Sequence, residues 1–102
     1  MVHVLAFITA KSGMRADVLT AFRANVPAVL AEAGCIEYGA TIDVDDAGPI
    51  QTAVGADTFV VVEKWQSLDH LKAHAASAHM AAYGAKVKDM LAARTVHVME
   101  SA

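Results

Sequence analysis

This chain is short of almost everything that would assign it quickly. It has one cysteine, Cys35, among 102 residues. That excludes an internal disulfide framework and fits a reducing compartment. It has no excess of positive charge. The net charge of −3 leaves no basic footprint for nucleic acid or anionic lipid. Aromatic residues make up only 6% and are scattered, which excludes a base-stacking platform. Residues 2 to 10 are apolar, but no basic segment precedes them and the run ends at Lys11. That is too short and wrongly flanked for a signal peptide or a membrane span. The expected compartment is the cytoplasm, with neither membrane nor nucleic acid as partner.

Chemical signatures are scarce too. Gly13 and Gly34 are isolated, so there is no Gly-rich phosphate loop, and no Gly-x-Ser-x-Gly nucleophile motif occurs. His70 and His74 stand four apart, as zinc-binding pairs do, but Leu71 follows His70 where a zinc protease has Glu. A lone cysteine provides no thiolate cluster. No metal and no cofactor are expected.

Apolar residues, by contrast, are plentiful at 56%. The length allows one domain, residues 1–102, and no second core. A small domain hides a smaller fraction of its surface than a large one. The apolar excess should therefore surface as a ligand pocket, a subunit interface, or both.

Residues 2 to 9 read as a strand that is apolar on both faces. Met14, Val18, Phe22, Val26 and Val29/Leu30 recur at helical spacing, which predicts a helix from about 14 to 32 with a kink at Pro27 and a stop at Gly34. Cys35 to Val44 is a second strand, with Ile36, Tyr38, Ala40 and Ile42 on one face. Residues 45 to 56 are turn-rich and are the segment most expected to be disordered. Asp57 to Trp65 is a third strand, with Phe59, Val61, Glu63 and Trp65 sharing a face. Ser67 caps a short helix that points Leu68, Leu71 and Ala75 inward. Ser77 opens a second helical stretch with Met80, Tyr83, Val87 and Met90/Leu91 as its stripe. Arg94 to Glu100 is the last strand.

Strand, helix, strand, strand, helix, strand is an α+β, ferredoxin-like βαββαβ arrangement with an antiparallel sheet. Its helices cover one sheet face only. Strands one and three are apolar on both, so the bare face is expected to pack against a second copy in a homodimer.

The groups with chemical potential cluster between 59 and 97. Glu63 interrupts an apolar strand, where a lone carboxylate needs a partner or a raised pKa. It either pins strand to helix or orients a histidine. Free imidazole titrates near neutrality, which makes His74 and His79 the candidate bases, or else they are hydrogen-bonded struts. Trp65 is core or the flat wall of a pocket. Tyr38 and Tyr83 lie on apolar stripes, where core packing is the expected role. His3 and His97 fall on terminal strands.

Gly34-Cys35-x-x-Tyr38, Phe59-x-x-x-Glu63-x-Trp65-x-Ser67 and Leu71-x-x-His74-x-x-Ser77-x-His79, in that order, resemble the antibiotic biosynthesis monooxygenase family over essentially the whole chain. The resemblance implies a dimeric α/β barrel with one pocket per subunit between sheet and helices. Characterised members oxygenate quinols or polycyclic phenols without metal or flavin; others degrade haem or isomerise small signalling molecules. Three features depart from the family pattern. Met80 stands where Phe is frequent, the 45–56 loop is long, and Val61 replaces an Asn four residues before the Trp. The first strand also lacks the Asn used by haem-degrading members.

Taken together, the expectation is a cofactor-independent monooxygenase that joins molecular oxygen to a small phenolic or quinol-like aromatic ligand. His74 or His79 would be the base and Glu63 its orienting group. Trp65, Val61, Phe59, Tyr83 and Met80 would contact the substrate. The alternatives are an isomerase or proton-transfer enzyme on a small hydroxy-ketone, and a non-catalytic ligand-binding dimer.

Overall fold

Strand alternation decides which side of the sheet the helices cover. In β1 (Val2–Ala10) the even positions Val4, Ala6, Ile8 and Ala10 are buried, and the odd ones are half-buried. In β3 (Thr58–Trp65) Phe59, Val61, Glu63 and Trp65 are buried, as their shared face predicts. The computed structural model describes residues 1–102 and adds α1 (Arg15–Leu30), β2 (Cys35–Thr41), α2 (Leu68–Ala75), α3 (Ala78–Val87) and β4 (Leu91–Met99). The four strands form one antiparallel sheet in the order β2-β3-β1-β4, the ferredoxin-like topology. No helix is long and apolar enough to cross a membrane.

The core lies under α1. Val18, Leu19, Ala21, Phe22 and Val29 meet Tyr38 of β2, Phe59, Val61 and Trp65 of β3, and the even side chains of β1. Phe22 stacks on Tyr38 at 5.2 Å between centroids and meets Phe59 edge-on at 5.9 Å. The helix runs unbroken through Pro27, three residues before its end. Gly34 follows with φ +80°, the left-handed turn expected of it. A side chain there would also collide with the His70 ring, so both backbone and space require glycine.

Four local expectations are corrected. β2 ends at Thr41, and a register shift between Cys35 and Glu37 throws Ile36 out of line, leaving Ile36 and Ile42 exposed. Leu68 is outward and half exposed; the one fully buried residue of α2 is His74. β4 begins earlier than expected, at Leu91. The 45–56 loop has structure of its own: a 3₁₀ turn at Gly48–Ile50, and Asp43 Oδ1 and Oδ2 accepting the backbone N–H groups of Val54 and Gly55, each at 3.0 Å. Those bonds hold the Asp43 carboxyl below its usual range.

Candidate active site

On the β1–β4 side the helices do not fill the space above the sheet. A cavity of about 500 Å³ remains between β1 and β4 below and α2 and α3 above. Its walls are mostly apolar, among them Ile8, Leu71, Met80, Val87, Val96 and Val98. Ala6, Ala81 and Gly84 present almost no side chain, which keeps it open. Glu63, His74 and Tyr83 are its polar groups of low exposure, with Lys88 and Arg94 the two cations.

Glu63 and His74 arrive from different elements. Alternation along β3 turns Glu63 toward the helices, where its Oε1 accepts the indole N–H of Trp65 at 3.0 Å. The Ser67 cap, whose Oγ accepts from the His70 N–H at 3.2 Å, starts α2. Two turns of that helix then deliver His74, with its Nε2 4.0 Å from Glu63 Oε1. The Trp65 indole lies against the imidazole at 4.7 Å between centroids, and Tyr38 meets it edge-on at 5.5 Å.

The other ring nitrogen of His74 is held by a residue two positions past the end of α1. His74 Nδ1 lies 2.7 Å from Glu32 Oε2. A carboxylate only accepts, so the shared proton belongs to Nδ1, and neutral His74 keeps a bare Nε2 on the Glu63 side. The same Glu32 oxygen is 3.3 Å from His79 Nε2. His79 Nε2 is also 3.3 Å from Ser77 Oγ, whose own proton goes to the His74 carbonyl at 2.7 Å.

Burial sets the charge preferences here. It pushes the Glu63 carboxyl above its ordinary value; the Trp65 N–H, His74 and Arg94 pull the other way. Burial likewise raises the Tyr38 and Tyr83 phenols and, with help from Glu32 and Glu63, the Cys35 thiol. No lysine or arginine pairs with Glu32 or Glu63. The basic groups within 4.0 Å of these two carboxylates are His74 and His79.

The family model for "antibiotic biosynthesis monooxygenase" matches residues 1–86. The chain belongs to the antibiotic biosynthesis monooxygenase family. Over 102 residues it is 34% identical to the Escherichia coli K12 protein named "Probable quinol monooxygenase YgiN", covering 98% of this chain and 97% of that one. Among solved structures, an antibiotic biosynthesis monooxygenase superposes with a TM-score of 0.80 at 23% identity, covering 100% of this chain and 99% of the other. A conserved protein of Methanosarcina mazei Go1 superposes at 0.83 and 17% identity, covering 99% and 92%. At these identities the structural matches establish the fold of this family member, and nothing finer.

Of the residues expected to form its site, Glu63, His74, Met80 and Tyr83 line the cavity. Trp65, Val61 and Phe59 do not: they are buried under α1 and behind Glu63, so the indole supports the carboxylate and imidazole rather than walling the cavity. His79 lies outside as well. It borders a shallower groove between α1 and α3 with Asn25, Tyr83 and Lys86.

His70 is likewise elsewhere, with its Nδ1 2.6 Å from Ser67 Oγ. The groups best placed to hold a metal are instead Glu32, His74 and His79, whose donor atoms lie within 4.8 Å of one another. The 2.7 Å between Nδ1 and Oε2 is a proton-sharing distance. It is shorter than the edge of about 3.4 Å between ligands of a tetrahedral zinc ion. The set as built fits protons.

Sequence reasoning passed over Glu32, Lys88 and Arg94. The one available signal for Glu32 was its position off the apolar stripe of α1, just before Gly34.

Proposed function

We propose that this family member is a cofactor-independent monooxygenase of small phenolic or quinol substrates. The observation that carries the reading is the Glu63–His74 pair opening onto a mostly apolar cavity of about 500 Å³, space that suits a one- or two-ring aromatic. The 34% identity to the protein named a probable quinol monooxygenase supports the substrate class.

The bare Nε2 of His74 takes a proton from the substrate hydroxyl, and Glu63 stabilises the imidazolium that results. The quinolate is rich enough in electrons to give one to molecular oxygen directly. The radical pair closes a C–O bond on the ring. The O–O bond then breaks as the ring carbon bearing it gives up its hydrogen, and the outer oxygen leaves as water with that proton and the one the hydroxyl gave to the base. Quinol plus O₂ thus becomes hydroxyquinone plus water, with the substrate as its own reductant. Apolar walls keep competing water away, and Arg94 and Lys88 favour an anionic substrate.

The sheet face turned away from the helices, with Leu5, Phe7, Val60 and Val62 half-buried, supports a homodimer in which a second copy covers it. A molecular mass in solution tests that directly. Oxygen uptake by metal-stripped protein with menadiol-type quinols tests the activity. Catalysed uptake with hydroxylated product is expected; no rate above buffer across several quinols would refute the reading. The two cations on the cavity also favour a second one, proton transfer on a small hydroxy-ketone through an enediolate. Turnover under strict anaerobiosis would select it.

A further inference from the structure

A line of titratable atoms leads from the cavity, past His74, to the groove between α1 and α3. From the cavity it runs from Glu63 Oε1 to His74 Nε2 over 4.0 Å, then from Nδ1 to Glu32 Oε2 over 2.7 Å. From that same oxygen it continues to His79 Nε2 over 3.3 Å. His74 is buried, whereas the His79 side chain is 31% exposed and its Nδ1 has no protein partner. An imidazole can take a proton on one nitrogen and give one from the other, and a carboxylate can hold it between two such rings.

We propose that Glu32 and His79 form a proton exit for His74, leading to the α1–α3 groove rather than through the substrate cavity. The proposal rests on the reading of His74 as the base. A proton taken at Nε2 releases the one on Nδ1 to Glu32. Glu32 passes it to Nε2 of the His79 tautomer that carries its own proton on Nδ1, and that Nδ1 proton goes to solvent; the reverse passage returns a proton when oxygen leaves as water. A base with its only outlet through an apolar, substrate-filled cavity would stay protonated. This line lets His74 reset while the cavity is occupied.

The neighbours fit that task. Lys86 shares the groove with His79. Tyr38 and Cys35, on the β2 side, have pKa values pushed up by burial, so neither competes for the proton. Tyr83 is held protonated in the same way, and Arg94, from β4, favours the ionised form of Glu63. Glu32 and His79 are positioning and relay groups; neither touches the cavity.

The test is exchange of the His74 Nδ1 proton with water, followed by ¹⁵N NMR of the whole protein, in wild type and His79→Gln. Gln keeps a donor for Glu32 but cannot titrate. Exchange in His79→Gln should slow by about tenfold or more, and added imidazole should restore it. A purely structural role predicts the opposite, because a loosened groove would speed exchange. Turnover of a menadiol-type quinol in dilute buffer should fall in parallel and recover with imidazole, while ligand affinity holds. Unchanged or faster exchange in His79→Gln overturns the relay even if quinols are oxidised. Slowed, imidazole-restored exchange without any quinol oxidation supports the relay and overturns only the assigned reaction.

Discussion

The two halves of the sheet follow the same alternation and end differently. Under α1, strands β2, β3 and the middle of β1 meet Phe22, Val18, Leu19 and Val29, which build the core, and the hollow left beside β2 is smaller, about 300 Å³. Under α2 and α3, β1 and β4 meet Ala81 and Gly84, and a cavity stays open. After Leu91 every residue of β4 is exposed. Periodicity chooses which face of an element points inward. The volume carried on that face decides between a core and a binding site.

The contrast is broken most sharply by truncation. Phe59→Ala, in the core under α1, should cost about 3–5 kcal/mol in denaturant unfolding. Val98→Ala, on the rim of the open half, should stay within about 1 kcal/mol. Similar costs would show that the halves are packed alike. Next is His74→Gln, which should lower kcat by about 10²- to 10⁴-fold with ligand affinity nearly unchanged. Steady-state kinetics beside a binding titration checks it, and equal losses in both would make His74 a binding residue.

A smaller effect concerns pH. Because burial raises the Glu63 pKa, the folded state favours the neutral acid. Wild type should lose stability as pH rises from the ordinary value of 4.5 through the folded value, and the loss should be constant above it. Glu63→Gln, which keeps an acceptor for the Trp65 N–H, should flatten that decline in unfolding curves taken across the window. The smallest is Gly84→Ala. A Cβ at Gly84 meets nothing within 4 Å, so helix propensity alone should raise stability by about 0.5–1 kcal/mol in a thermal melt.

Much of this was legible in the chain. The element order, both serine caps and the Glu63 face of β3 follow from local pattern, because period and capping are local physics. The pairing of Glu63 with a helix histidine was legible as a need: an isolated buried carboxylate must find a partner. Depth was not legible. Phe59, Val61 and Trp65 share the face of Glu63, but only the placement of α1 puts them in the core and Glu63 at the cavity. Nor was Glu32, whose role depends on the end of α1 meeting the α2–α3 junction 42 residues later. Leu68 was misplaced because α2 turns His74 inward, and a polar residue inside is invisible to apolar counting.

The account stands on the open half of the sheet being a ligand cavity. Calorimetric titration of menadione into wild type and Gly84→Phe addresses this most directly, since a ring at position 84 would occupy the hollow without disturbing the core under α1. One ligand per chain in wild type is expected, with binding weakened at least about tenfold, or 1.4 kcal/mol, in the variant and its melting temperature maintained. Equal affinity in both proteins, or no binding to wild type, would contradict it.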